Sequence, residues 1–136
     1  MLDVRKIRLT LELRESGIFD SKVLSAIEKI PREIFIPESF RNQAYENIAL
    51  PIGKNQTISQ PYIVALMTQS LDLNNRHKVL ELGTGSGYQS SVLSLLVRRV
   101  YTIERIKSLL VKAEHNFKKL KIYNIVSKNA DGNLGW

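Results

Sequence analysis

The apolar positions of this chain change their period near residue 78, and the change separates two kinds of structure. Before it the spacing is helical. Val4, Ile7 and Leu11 recur at three- and four-residue intervals, predicting a helix over residues 2–15 that Gly17 follows. Asp20 is placed to cap a second helix with Val23, Leu24, Ile27 and Ile30 on its apolar face, and Pro31 ends it. Between Pro31 and Pro37 the chain should be extended or turn-rich, because the residue before a proline avoids the helical region. Residues 41–58 keep no period. They hold Pro51, Gly53 and Asn55 among the apolar anchors Tyr45, Ile48, Leu50 and Ile52, and read as a long ordered loop. Ser59 or Gln60 can then cap a third helix with Pro61 in its first turn, running to about Leu71.

Beyond the polar turn at residues 74–77, short apolar runs alternate with amphipathic ones. Lys78–Leu82 predicts a strand, Gly83–Gly87 a glycine loop, Tyr88–Val97 a helix and Arg99–Glu104 a second strand rich in β-formers. Ile106–Leu120, with Leu109, Leu110, Ala113 and Phe117 on one side, predicts another helix, and Ile125–Ser127 a third, shorter strand. Strand–helix alternation of this kind predicts the α/β class, with a parallel sheet and right-handed crossovers.

At 136 residues and 43% hydrophobic content the chain suits one structural domain with a buried core. The absence of cysteine excludes a disulfide framework and a thiolate metal site. His77 and His115 are the only imidazoles and are expected to be solvated, so no metal is expected. The net charge of +7 admits polyanionic partners. The basic residues are spread along the chain, however, and the densest groups, Arg5-Lys6-Arg8 and Lys118-Lys119-Lys121, read as solvated helix faces. Neither a nucleic-acid nor a membrane partner is therefore expected. Charges at Asp3, Arg5, Lys6 and Arg8 break any signal-peptide core, and a cytoplasmic address is the default expectation.

The chemistry concentrates in Val79-Leu80-Glu81-Leu82-Gly83-Thr84-Gly85-Ser86-Gly87-Tyr88, where a strand enters, glycines turn the chain and a helix leaves. Such a turn lets a ligand approach the backbone closely. Glu104, at the end of the second strand, suits the ribose hydroxyls of a nucleoside. Two features favour S-adenosylmethionine over a dinucleotide. The third glycine comes one position early for the G-x-G-x-x-G fingerprint, and Glu81 would repel a pyrophosphate while attracting an ammonium group. Tyr88 and Tyr101 are expected to pack rather than bind, and Lys54 can attract acidic peptides.

The run Glu81–Tyr88 resembles motif I of class I methyltransferases. Residues 50–65, Leu-Pro-Ile-Gly-Lys-Asn-Gln-Thr-Ile-Ser-Gln-Pro-Tyr-Ile-Val-Ala, closely resemble the active-site segment of protein-L-isoaspartate O-methyltransferases. Pro31-Arg32-Glu33-Ile34-Phe35, Val100-Tyr101-Thr102-Ile103-Glu104-Arg105 and the Asp131-Gly132 region are similar to that family as well. The resemblance implies a doubly wound, Rossmann-like methyltransferase fold, here stopping after about three strands, with a helical N-terminal segment. It implies division into residues 1–58, a helical and substrate-loop segment, and residues 59–136, part of the S-adenosylmethionine-binding domain. It gives Ser59 the active-site role, Thr57, Ile58 and Gln60 the substrate side, and Glu81, Gly83, Thr84, Gly85, Ser86, Gly87, Glu104, Asp131 and Gly132 the cofactor side. The implied activity is methylation of the free carboxylate of isoaspartyl residues in peptides and proteins, by a monomer. The alternatives are an inactive shortened chain or a class I methyltransferase with another substrate. Asn55 and Ala130 stand where the family usually has glycine.

Overall fold

Helix α1, Val4–Glu15, starts where the Asp3 carboxylate accepts the Arg5 N–H at 2.9 Å, satisfying one of the amides a helix start leaves free. The computed structural model describes residues 3–136, so Leu2, at the start of the expected first helix, lies outside the described residues. The face of α1 differs from the expected one. Leu9 and Leu13 are its buried residues, whereas Val4, Ile7 and Leu11 are exposed. Both sets recur at a helical interval, so periodicity alone could not choose between them.

Helix α2, Ser21–Lys29, is capped by Asp20 as predicted and buries Val23, Leu24 and Ile27 between α1 and helix α3, Pro61–Ser70. The Gln69 side chain of α3 accepts the N–H groups of Phe19 and Asp20 at 2.9 and 3.0 Å, fastening the α1–α2 turn to α3. Two expectations are corrected in between. Arg32–Phe35, expected to be extended or turn-rich, is a short 3-10 helix between its two prolines. The expected long loop contains an antiparallel hairpin, β1 (Leu50–Gly53) with β2 (Gln56–Ile58), turning on Lys54 and Asn55. Both turn residues have positive φ, 55° and 58°, as a two-residue hairpin turn of the primed type requires. Asparagine accepts that conformation without glycine.

The second half follows its predicted order closely. Strands β3 (Lys78–Leu82), β4 (Arg99–Glu104) and β5 (Ile125–Asn129) form a parallel sheet in that order, with Lys78 opposite Arg99 and Val100 opposite Ile125. Helix α4, Tyr88–Ser94, is shorter than expected; α5, Lys107–Lys119, buries Leu109, Leu110, Ala113 and Phe117. With Val92, Leu93 and Val100 these residues make the core on the helix-covered face. This is the α/β, Rossmann-like arrangement that the strand–helix alternation predicts. The chain separates into two units, one ending at Leu73 and the other Asn74–Trp136.

Candidate cofactor and substrate site

In the second unit, the carboxyl ends of the three parallel strands bring Glu81, Glu104 and Asp131 to one end of the sheet. In open α/β sheets this is where ligands bind. The glycine loop leaves β3 there. Gly83, Gly85 and Gly87 all have positive φ, and a side chain on Gly83 would meet nothing within 4 Å, so at Gly83 the loop presents bare backbone to open space. The Gly83 and Thr84 N–H groups donate to the Ile103 carbonyl at 2.8 and 3.2 Å, and Gly87 N–H donates to the Thr84 carbonyl at 2.9 Å. The loop amides thus shape the loop itself, and the charges beside it are carboxylates. That combination disfavours a pyrophosphate and suits a ligand carrying positive charge.

Glu104 is buried. Its two carboxylate oxygens accept the Gly85 N–H at 3.0 Å and the Ile106 N–H at 2.8 Å, which fixes its plane against the loop. Each oxygen keeps a free lone pair, enough for a pair of vicinal hydroxyls. Glu81 is turned inward. Its carboxylate accepts the hydroxyls of Ser90 and Thr102, the latter at 2.6 Å. Because Thr102 spends its hydrogen on Glu81, the 2.6 Å contact between Thr84 and Thr102 has Thr84 as donor, and Glu81 reaches the loop through that relay. Burial pushes the Glu81 carboxyl up to about 7, the two hydroxyl bonds opposing and the nearby Glu104 charge adding to the rise. Asp131 is exposed and accepts the Asn133 N–H at 2.9 Å, while Gly132 lies against the Leu82 side chain. Ser86 accepts the Tyr88 N–H at 3.3 Å. Tyr88 is buried, and Tyr101 meets Trp136 edge-on at 5.0 Å. Glu104, with its plane fixed beside the loop, offers acceptors suited to a nucleoside's hydroxyls.

In the first unit, Ser59 follows the β1–β2 hairpin and is exposed. The helix cap is Gln60, and neither its side chain nor that of Ser59 bonds the first turn of α3. Asn47 takes that role, its side-chain oxygen accepting the Tyr62 N–H at 2.9 Å, while its carbonyl accepts the Gln60 side chain at 3.0 Å. Among the described residues the Ser59 hydroxyl has no hydrogen-bond partner, so it is not occupied by capping. Thr57 is exposed, whereas the Ile58 side chain is buried and can offer a substrate only its backbone.

Arg32 holds this segment from beneath. Fully buried, it donates to the carbonyls of Ala44 at 2.8 Å, Ile48 at 2.7 Å, and Glu46 and Ser59 at 3.3 Å. In the sequence Arg32 and Thr102 stand out only as parts of motifs, and Asn47 and Ser90 do not stand out at all. The one available signal for Arg32 was the charged pair Arg32-Glu33 between prolines in an otherwise apolar stretch.

Three parallel strands, a glycine loop after the first and an acid at the end of the second define a class I, Rossmann-like methyltransferase domain. The whole described chain narrows this further. Residues 4–136 match the family model of protein-L-isoaspartate(D-aspartate) O-methyltransferase, and the chain belongs to that family. It is 60% identical to the protein-L-isoaspartate O-methyltransferase of Rhodospirillum centenum over 132 residues, covering 97% of this chain and 60% of that protein. Against the Paramagnetospirillum magneticum enzyme the figures are 58%, 97% and 62%. The chain thus spans about three-fifths of the length of these relatives. A solved protein-L-isoaspartate O-methyltransferase superposes with a TM-score of 0.85 at 29% identity, over 93% of this chain and 42% of its own. A Plasmodium falciparum chain described as a beta-aspartate methyltransferase, in complex with S-adenosyl-L-homocysteine, gives 0.76 at 25%, over 90% and 62%.

Proposed function

We propose that the protein transfers a methyl group from S-adenosylmethionine to the free carboxylate of L-isoaspartyl residues in damaged proteins, and that the carboxyl end of its parallel sheet holds the cofactor. The observation that carries this reading is the gathering of Glu81, Glu104 and Asp131 around a glycine loop, an acidic site matched to a cationic nucleoside. Family membership and the homocysteine nucleoside bound by the Plasmodium falciparum relative support it.

S-adenosylmethionine supplies an electrophilic methyl group on a sulfonium. Glu104, fixed by Gly85 and Ile106, accepts the ribose hydroxyls. Glu81 contributes negative charge on the methionine side of the loop, and Asp131 with Gly132 borders the adenine. The acceptor carboxylate has an ordinary pKa near ~4 and is already ionised at neutral pH, so no general base is required. Ser59 donates its free hydroxyl to that carboxylate and orients one oxygen, with Thr57, Gln60 and the Ile58 backbone lining the peptide. Rate enhancement then comes from alignment.

Ser59→Ala tests the assignment. Loss of one hydrogen bond to a charged group, about 1.5–3 kcal/mol, should lower turnover on an isoaspartyl peptide by roughly 10- to 100-fold, with the affinity for S-adenosylhomocysteine unchanged. Unchanged turnover would remove Ser59 from the site.

A further inference from the structure

The charge of this chain is not shared evenly. Residues 74–136 hold 11 of its 20 lysines and arginines but only 4 of its 13 acids, a surplus of 7 that equals the net charge of the whole chain. Within that unit the charges also separate along the strands. Three of its four acids, Glu81, Glu104 and Asp131, stand at the carboxyl ends around the glycine loop. The amino ends carry Arg76 just before β3 and Lys78 on it, Arg98 just before β4 and Arg99 on it, and Lys121 before β5, all exposed. No Asp or Glu occurs in residues 74–80, 95–103 or 115–130. Among the described residues, none of these five cations is in an ion pair.

The loops bearing them form one surface. Arg98 N–H donates to the His77 carbonyl at 2.9 Å, and Val100 N–H donates to the Asn124 carbonyl at 2.9 Å. The Asn124 side chain returns to the carbonyls of Val97 and Arg98 at 3.3 and 3.4 Å. Lys78 and Arg99 are register partners on adjacent strands, about 4.8 Å apart. Beside Asn124, on the same laced loop, Tyr123 is 83% exposed. Lys118 and Lys119 also lie at this end, but they sit in the last turn of α5, where cations complement helix carbonyls, so they carry no weight here.

We propose that the amino-terminal end of the parallel sheet is a binding surface for single-stranded nucleic acid. Phosphates are held by Arg76, Lys78, Arg98, Arg99 and Lys121, and a base stacks on Tyr123. Charge alone would serve any polyanion. The exposed ring among the cations selects a strand with free bases, and guanidinium groups suit phosphate oxygens. The surface lies at the opposite end of the strands from the glycine loop, about 16 Å along a five-residue strand.

The test uses the full 136-residue chain and a fluorescein-labelled 12-nucleotide uridine RNA, with binding read by anisotropy at 50 and 200 mM salt. Contact with about four phosphates predicts a log–log salt slope near −3 and roughly 50-fold weaker binding at the higher salt. Arg98→Glu with Lys121→Glu should weaken binding at least tenfold and make the slope shallower. Tyr123→Ala should weaken it about fivefold or more and leave the slope unchanged, since stacking contributes roughly 1–3 kcal/mol per base. Arg8→Glu with Arg41→Glu, exposed sites in the first unit, makes the same change in net charge and should have little effect. Thermal melts of all variants confirm folding. The proposal is overturned by absence of saturable binding at 50 mM salt, by equal losses from the two double reversals, or by no effect of Tyr123→Ala. It is overturned equally by displacement of the RNA by polyglutamate at matched charge, which would indicate an acidic protein partner. Tighter binding to vesicles of anionic phospholipid would also overturn it.

Discussion

Glu81 shows how one side chain can link stability, pH and ligand charge. Its carboxyl titrates near 7, against an ordinary value of 4.5, because burial disfavours the charged form more than Ser90 and Thr102 favour it. A raised acid pKa means the folded protein holds the proton more tightly than the unfolded chain. The stability this contributes is fully present below 4.5 and is lost as pH rises to about 7, by at most about 3 kcal/mol. Urea unfolding at pH 4.5, 6 and 7.5 should show this component in the native chain and lose it in Glu81→Gln. A parallel pH profile in the two proteins would contradict it. Arg32 is the counterpart in the first unit, one guanidinium serving four carbonyls. Arg32→Met should cost about 3 kcal/mol or more by denaturant unfolding, because buried carbonyls that lose a charged donor bear their full desolvation penalty. A loss below 1 kcal/mol would show that the 44–48 loop holds itself.

At the scale of elements, the residue that caps α4 sits close against α5. A Cβ on Gly87 would stand 2.7 Å from the Phe117 ring and 3.1 Å from the Ala113 methyl, on a residue whose φ of 92° already disfavours a side chain. Gly87→Ala should therefore destabilise by about 2–4 kcal/mol, and by less in a Phe117→Leu background where the ring is gone. Equal losses in both backgrounds would assign the cost to the backbone alone. The elements differ in how readily the sequence discloses them. β3 and β4 begin and end where their apolar runs do, and α5 follows its 3.6-residue face. The buried face of α1 was not legible, because Leu9 and Leu13 compete with Val4, Ile7 and Leu11 and only tertiary packing decides. The hairpin was hidden because its turn puts lysine, with no sequence preference for positive φ, where glycine or asparagine is usual. The site divides similarly. The loop glycines and Glu104 declare themselves through spacing, whereas Asn47 and Thr102 act through contacts distant in sequence, 15 and 21 residues away.

For the molecule as a whole, folding does to charge what the linear sequence conceals. Basic residues that look scattered over residues 76–121 converge at the amino ends of adjacent strands, while the acids converge at the carboxyl ends. The expectation of no nucleic-acid partner rested on that apparent scatter. The acidic end is the one on which the enzymatic reading depends, and it predicts selectivity for a single carboxylate chemistry. The most direct test offers the protein labelled S-adenosylmethionine with a peptide containing one L-isoaspartyl residue, alongside the same peptide with a normal aspartyl residue. The predicted result is label on the isoaspartyl peptide alone; equal labelling of both, or no labelling where the cofactor binds saturably, would contradict the proposed function.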